Sequence, residues 1–274
     1  MREGRGYPGG KGGMGVFQTI INHMPPHDVY VEAFAGSGVV MRAKRPAQRN
    51  VAIDRSSAAL AALLSHYIGA GDTGRQGDAA DALRSTNVVT VDNADGLRWE
   101  FVRGDCQAWF RQQIWRGHEL VYADPPYLRS VRASGRLFYE YELAEESEHV
   151  ALLTQLRALP CMVMVSGYWS ELYADMLPDW TTVTYTTVTL GGTVAEEWLW
   201  MNYPLPAALH DYQYLGADYR ERERIKRKVN RWRQRLAAMP LLERQALMMA
   251  LSDTDLAAAS PDLASVATSI EELF

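Results

Sequence analysis

The chain switches repeatedly between two hydrophobic periodicities. Short apolar runs mark buried strands, and apolar residues three and four apart mark helices. The amphipathic stretch from Val16 to Met24 predicts a helix, which Pro25 and Pro26 end. DVYVEAFAGSG then predicts a buried strand over 29–34 that runs into a tight glycine turn, with a helix starting at VVMRAKR. NVAID follows as a second apolar strand and ends in Asp54. A strand, a glycine turn, a helix and a strand ending in an acid make the first half of a parallel nucleotide-binding sheet.

The same pattern continues. Residues 55–67 are helical in pattern, and 69–85, polar and glycine-containing, read as a loop or small insert. WEFVRGD and ELVYADPPY predict two more strands, each running into a carboxylate, Asp105 and Asp124. Leu152, Leu153, Leu156 and Leu159 give 145–159 a helical spacing, and CMVMVSGY is a further core strand. TTVTYTTVTL and EEWLWMNY complete the strand set, with GGTVA as a hairpin-like loop between them. Beyond Pro204 the chain turns helical, first basic and then rich in alanine and leucine, and no internal repeat is visible.

A length of 274 residues, 47% of them hydrophobic and 22% charged, is enough for one large α/β domain and a small appendage, or for two modest domains. The expected division is a domain over 1–205, with a small insert around 68–97, and a helical extension over 206–274. The longest uncharged stretches, Gly12–His27 and Trp180–Ala195, are too broken by glycine, proline and threonine to span a membrane. The first residues, MREGRGYPGGKGGM, lack the apolar core of a secretory signal. Cys106 and Cys161 are too few for a disulfide framework or a thiolate zinc site, and the expectation is a cytoplasmic protein. Six histidines show no ligand cluster, since Pro25 and Pro26 separate His23 from His27, so no metal is expected. Charge is segregated. Nine basic and two acidic residues between Tyr219 and Arg235 give this segment +7, which leaves −12 on the rest of a chain of net charge −5. Such a segment points to nucleic acid or an acidic surface.

Asp124-Pro125-Pro126-Tyr127 is the most informative tetrapeptide. It sits at the C-terminal end of a strand, where open α/β sheets place their sites. Two prolines stiffen the turn and remove two backbone donors, which leaves carbonyls free to accept. An acid, a rigid carbonyl and an aromatic face together can grip a planar ring that bears an exocyclic amine. Phe34-Ala35-Gly36-Ser37-Gly38 lacks a third glycine of the dinucleotide pattern but still lets a ligand approach the backbone. Asp54 is placed either to accept from a ribose diol or to cap a helix before Ser56.

FxGxG followed by DPPY resembles the S-adenosylmethionine-dependent amino-methyltransferases of DNA, and most of all the D12 class of adenine-N6 methylases of phages and prophages. Tyr7-Pro8-Gly9-Gly10-Lys11 looks like the N-terminal cofactor motif of that class, and Gly104-Asp105 like its strand-end acid. Gly167-Tyr168 and EWLWMNY over 197–203 resemble further stretches, and the likeness covers roughly residues 5–240. Ala33 stands where proline is common in the family.

The resemblance implies a Rossmann-like methyltransferase sheet with flanking helices. It also implies S-adenosylmethionine as cofactor and double-stranded DNA as partner, with adenine methylated at N6 after base flipping. Tyr7, Lys11, Phe34, Gly36, Gly38, Asp54 and Asp105 would hold the cofactor, with Lys11 near its methionine carboxylate. Asp124, Pro125, Pro126 and Tyr127 would hold the adenine and carry catalysis. Arg227, Lys228, Arg231 and Arg235 in the basic segment are expected to grip the DNA backbone. Ile225, Val229, Trp232, Leu236 and Met239 form an apolar stripe suited to docking on the body or on a second copy. Only 69 residues, Arg55 to Ala123, separate Asp54 from DPPY, which leaves no room for a large recognition insert and implies short or relaxed site specificity. Three other readings stay open: a cytosine-N4 or protein-glutamine methyltransferase, a nicotinamide-dependent oxidoreductase, and a non-catalytic nucleic-acid binder.

Overall fold

The apolar runs pair into one eight-stranded sheet in the computed structural model, which describes residues 11–253 except 14, 69–80, 84, 132–142, 144 and 189–191. Its strands are β1 (Val29–Ala33), β2 (Arg49–Asp54), β3 (Val88–Asp92), β4 (Arg98–Arg103), β5 (Glu119–Ala123), β6 (Met162–Gly167), β7 (Thr181–Val188) and β8 (Val194–Met201). The order across the sheet is β3-β4-β2-β1-β5-β6-β8-β7. β4, β2, β1, β5 and β6 run parallel, β8 lies antiparallel to both β6 and β7, and β3 is antiparallel to β4 at the far edge. This is the expected Rossmann-like α/β sheet with flanking helices, with an extra edge strand. The strand order reverses between β1 and β5, and a sheet of this kind opens its ligand crevice at the C-terminal ends of those two strands.

Alternation along the strands separates two apolar layers. On one face Tyr30, Ala52, Phe101, Leu120, Tyr122, Met164, Leu199 and Met201 pack with residues of α1 (Val16–Ile21), α2 (Val39–Ala43) and α3 (Ser57–Leu64). On the other, Val31, Val51, Ile53, Val121, Val163, Val165 and Trp200 meet α4 (Cys106–Gln112), α5 (Glu146–Ala158) and residues of and after α6 (Glu171–Met176). Cys106 and Cys161 are both buried in this second layer, and burial pushes their thiols up to about 12.

Several expected boundaries move for local reasons. β1 stops at Ala33 because Phe34 adopts a left-handed φ of 60°, which no strand accommodates. The first helix ends at Ile21, and its last turn tightens through His23 N–Ile20 O and Met24 N–Ile21 O bonds before Pro25. Residues 88–92, expected in the small insert around 68–97, are strand β3. Asn93 Oδ1 accepts the amides of Asp95 and Leu97, and Gly96 takes φ 77°, so the chain turns back along β4. Residues 69–80 and 84 of the insert lie outside the described residues.

The chain divides into two compact units, 1–218 and 219–274. The expected boundary at 205 therefore falls earlier than the observed one. The intervening segment belongs to the first unit, where Asp211 Oδ2 accepts the Arg45 amide at 2.8 Å and His210 N donates to Met24 O at 2.9 Å. The second unit contains α7 (Tyr219–Ala238) and α8 (Leu241–Asp253). Among the described residues no helix is long and apolar enough to cross a membrane.

Gly38, which opens α2 at φ 59°, has no space for a side chain. A Cβ there would lie 2.4 Å from Leu63 Cδ1, within the buried layer. Gly38→Ala is expected to cost about 1–3 kcal/mol, read as a lower urea midpoint. Gly104→Ala, where a Cβ meets nothing within 4 Å, should stay within roughly 0.5 kcal/mol of wild type. Equal midpoints for the two variants would contradict this account of the turn.

Candidate active site

Parallel register levels the ends of three strands. Ala33 pairs with both Ile53 and Ala123, so Phe34, Asp54 and Asp124 emerge side by side at the edge of the crevice. Backbone bonds hold this edge together: Ala35 N to Ile53 O at 3.0 Å, Asp124 N to Ala33 O at 3.3 Å, and Gly104 N to Asp54 O at 2.9 Å. The FAGSG turn bends on left-handed residues Phe34, Gly36 and Gly38. Asp54 braces that turn, with Oδ2 accepting Gly36 N at 2.8 Å and Oδ1 accepting Ser56 N at 2.7 Å. Ser56, not Asp54, is the N-cap of α3. Burial lifts the Asp54 carboxyl above its ordinary range, and the amides of Ser56 and Gly36 oppose that lift. Asp105 caps α4 through Gln107 N and faces Arg55 at 3.4 Å.

The strongest polar cluster centres on the DPPY turn. Lys11 Nζ lies 2.8 Å from Asp124 Oδ1 and 3.0 Å from Glu197 Oε2, and it also donates to the Tyr127 hydroxyl. Tyr127 in turn donates to Glu197 Oε2 at 2.8 Å, as does Tyr185 at 2.9 Å. Ser166 Oγ donates to Asp124 Oδ1 at 2.7 Å, and Tyr122 reaches Ser166 at 3.0 Å. The Tyr168 ring stands edge-on to the Tyr127 ring, centroids 4.6 Å apart. Pro125 and Pro126 are buried, and no described donor bonds the Pro125 carbonyl.

Two carboxylates thus share one buried ammonium, and the proton affinities follow. Burial alone would lower the Lys11 pKa, but the charges of Asp124 and Glu197 outweigh it and hold the ammonium above the usual lysine range. Burial lifts the Asp124 carboxyl above the ordinary carboxylate range. The Lys11 charge opposes that lift and the Glu197 charge adds to it. Burial, then the neighbouring carboxylates Asp124 and Glu197, keep the Tyr127 phenol protonated well beyond its normal range.

The structure therefore gathers Phe34, Gly36, Gly38, Asp54, Asp105 and the whole DPPY turn along one sheet edge. Lys11, expected beside the cofactor's carboxylate, packs against Asp124 and Glu197. Tyr7 lies outside the described residues. Glu197, Ser166, Tyr122 and Tyr185 join this cluster, and sequence reasoning assigned them no role. A signal existed for Glu197: strand alternation puts it on the same face as Leu199 and Met201, so a carboxylate faces the core. Arg227, Lys228, Arg231 and Arg235 are exposed on α7, as are Val229 and Trp232 of its apolar stripe, and no residue of α7 is buried. Among the described residues no three His, Cys, Asp or Glu side chains cluster as a metal site.

The chain matches no family model and no curated protein. Among solved structures it is similar to a precorrin 8W decarboxylase of Methanobacterium thermoautotrophicum, at 13% identity and TM-score 0.40 over 71% of this chain and 91% of that one. An rRNA methylase of Streptococcus thermophilus matches at 11% and 0.37, over 68% and 91%. A magnesium protoporphyrin IX methyltransferase of Synechocystis with bound SAM matches at 11% and 0.37, over 68% and 75%.

Removal of the shared cation tests the cluster. Lys11→Met leaves Asp124 and Glu197 facing each other without compensation, a change expected to cost about 3–5 kcal/mol at pH 8. The loss should shrink at pH 5, because a carboxyl with a raised pKa takes up a proton as pH falls and the repulsion disappears. Urea midpoints at the two pH values measure this. A pH-independent loss would show that Lys11 acts through packing rather than charge.

Proposed function

We propose that this chain is an S-adenosylmethionine-dependent methyltransferase that modifies the N6 amine of adenine in DNA. One observation carries the reading. Asp124 and the Pro125 carbonyl, which no described donor bonds, stand together at the point where the sheet order reverses, one strand from a left-handed glycine turn.

The residues on the β1 and β2 side suit the cofactor. Asp54 accepts a backbone amide at each oxygen and stands where a diol could donate to it as well. Gly36 and Gly38 keep the turn free of side chains, and Asp105 adds an acid at the end of β4. When bound, S-adenosylmethionine supplies an electrophilic methyl on sulfur.

The chain's own contribution is to position the amine and stabilise it. Adenine N6 is a poor nucleophile because its lone pair is delocalised into the ring. Asp124 and the Pro125 carbonyl accept its two N–H bonds, which favours a pyramidal nitrogen and stabilises positive charge as it develops. The rigid prolines fix these acceptors before substrate arrives, so alignment contributes to rate. Tyr127 offers an aromatic surface to a base taken out of the stack. Buried Cys106 and Cys161, their thiols held protonated, take no part.

α7 supplies the DNA contact in this reading. At 100° per residue, Arg220, Arg224, Arg227, Lys228, Arg231 and Arg235 share one face of the helix. Such a face matches a phosphate backbone and gives a chain of net charge −5 a local positive field.

Two measurements test the proposal. Incubation of the protein with labelled cofactor and duplex DNA should give N6-methyladenine by mass spectrometry, and Asp124→Ala should lose several orders of magnitude in rate. Its cofactor affinity should stay within roughly tenfold, about 1.4 kcal/mol. Methylcytosine as product, or wild-type turnover by Asp124→Ala, would refute the assignment. Replacing Arg227, Lys228, Arg231 and Arg235 with glutamine should weaken binding to all DNA sequences alike. It should also flatten the slope of log affinity against log salt by up to about 3–4 units. An unchanged slope would remove α7 from the interface.

A further inference from the structure

The carboxylate of Asp124 is not symmetric in its surroundings. Oδ1 receives Ser166 Oγ at 2.7 Å and Lys11 Nζ at 2.8 Å, with the Tyr127 hydroxyl at 3.5 Å. Two short donors occupy both lone pairs of that oxygen. Oδ2 receives no donor among the described residues, yet the side chain keeps 20% of its surface exposed. Rotation about the terminal bond of an aspartate is soft and roughly two-fold, so a carboxylate held at neither oxygen would turn freely.

Each anchor is itself held from behind. Ser166 is fully buried on β6, and its single hydroxyl proton points to Asp124, so the contact at 3.0 Å requires Tyr122 to donate to Ser166 Oγ. A donor chain of this kind polarises the last hydroxyl and strengthens its bond to the acid. Lys11 is fixed on its other side by Glu197, which also takes the hydroxyls of Tyr127 and Tyr185. Strand alternation places Tyr122, Asp124, Ser166 and Glu197 on one sheet face, so the whole set is built by three neighbouring strands.

We propose that Ser166, backed by Tyr122, and Lys11, backed by Glu197, are positioning residues that hold Oδ1 of Asp124 and present Oδ2 as the acceptor for the substrate amine, given the function proposed above. Ser166 and Tyr122 touch neither substrate nor cofactor and act only through the carboxylate. Glu197 is the counter-charge that keeps Lys11 in place without consuming the acceptor oxygen.

Ser166→Ala removes one oxygen, and Tyr122→Phe removes one hydroxyl, from a packed layer. Ser166→Ala should lower kcat roughly tenfold to a hundredfold with little change in KM for DNA or cofactor. The acid limb of its kcat profile should move to higher pH, because the ionised carboxylate loses a donor that favours it. Tyr122→Phe should do the same more weakly. The double variant should be no slower than Ser166→Ala, because Tyr122 acts only through the serine. Wild-type kcat and an unmoved acid limb in folded Ser166→Ala would overturn the anchoring, and multiplicative effects in the double variant would overturn the relay.

A substrate-free measurement separates this from the functional reading. A carbon-13 titration of the Asp124 carboxyl should show a higher pKa in Ser166→Ala than in wild type. Wild-type protein that leaves DNA adenine unmethylated would overturn the function and the acceptor role of Oδ2, while the titration still decides the anchoring. An unshifted carboxyl would overturn the anchoring even in an active enzyme.

Discussion

Lys11 Nζ stands within 3.0 Å of two carboxylates that come from different strands of the sheet, Asp124 and Glu197. With Lys11 and Glu197 almost inaccessible to water, each charge depends on the other two. A buried ion pair is seldom a large net source of stability, because desolvation consumes most of the attraction. Its effect here is on geometry. The segment before α1, the turn after β5 and the middle of β8 meet where the charges balance, and Tyr127 and Tyr185 bond to the same Glu197 oxygen. The DPPY turn is thereby fixed at its acid and at its aromatic.

That cluster would have no crevice to serve without the parallel register of β1, β2 and β5. The pairing of Ala33 with Ile53 and with Ala123 brings three loops out at one level. The reversal of strand order beside β1 then parts the chain, leaving an opening between a glycine turn and an acid. β8 runs against β6, with Trp198 opposite Gly167, so Glu197 projects one position past the end of β6 toward Tyr168. An antiparallel strand among parallel ones delivers a carboxylate to the same sheet edge from the reverse direction.

The second unit follows a different logic. α7 buries none of its residues, and its charge is repeated along one face in steps of three and four. Its internal pairs, Arg224 with Glu221 and Lys226 with Glu223, are exposed and of small energetic consequence. The helix thus leaves most of its cations to solvent.

The sequence by itself determined the elements whose signals are local. The apolar runs of β1, β2, β5 and β6, the FAGSG turn, and the carboxylates at strand ends are each legible within about ten residues, because period and turn chemistry act at that range. DPPY was legible for the same reason. β3 was not, since an edge strand with one face in water carries weak alternation, and only its turn at Asn93 and pairing with β4 define it. The company of Asp124 was decided by the tertiary structure alone. Ser166, Glu197 and Lys11 lie 42, 73 and 113 residues from it along the chain, and no local pattern says which strand will be its neighbour. That choice belongs to the crossovers and to the antiparallel return of β8, which set strand order through packing of both faces at once.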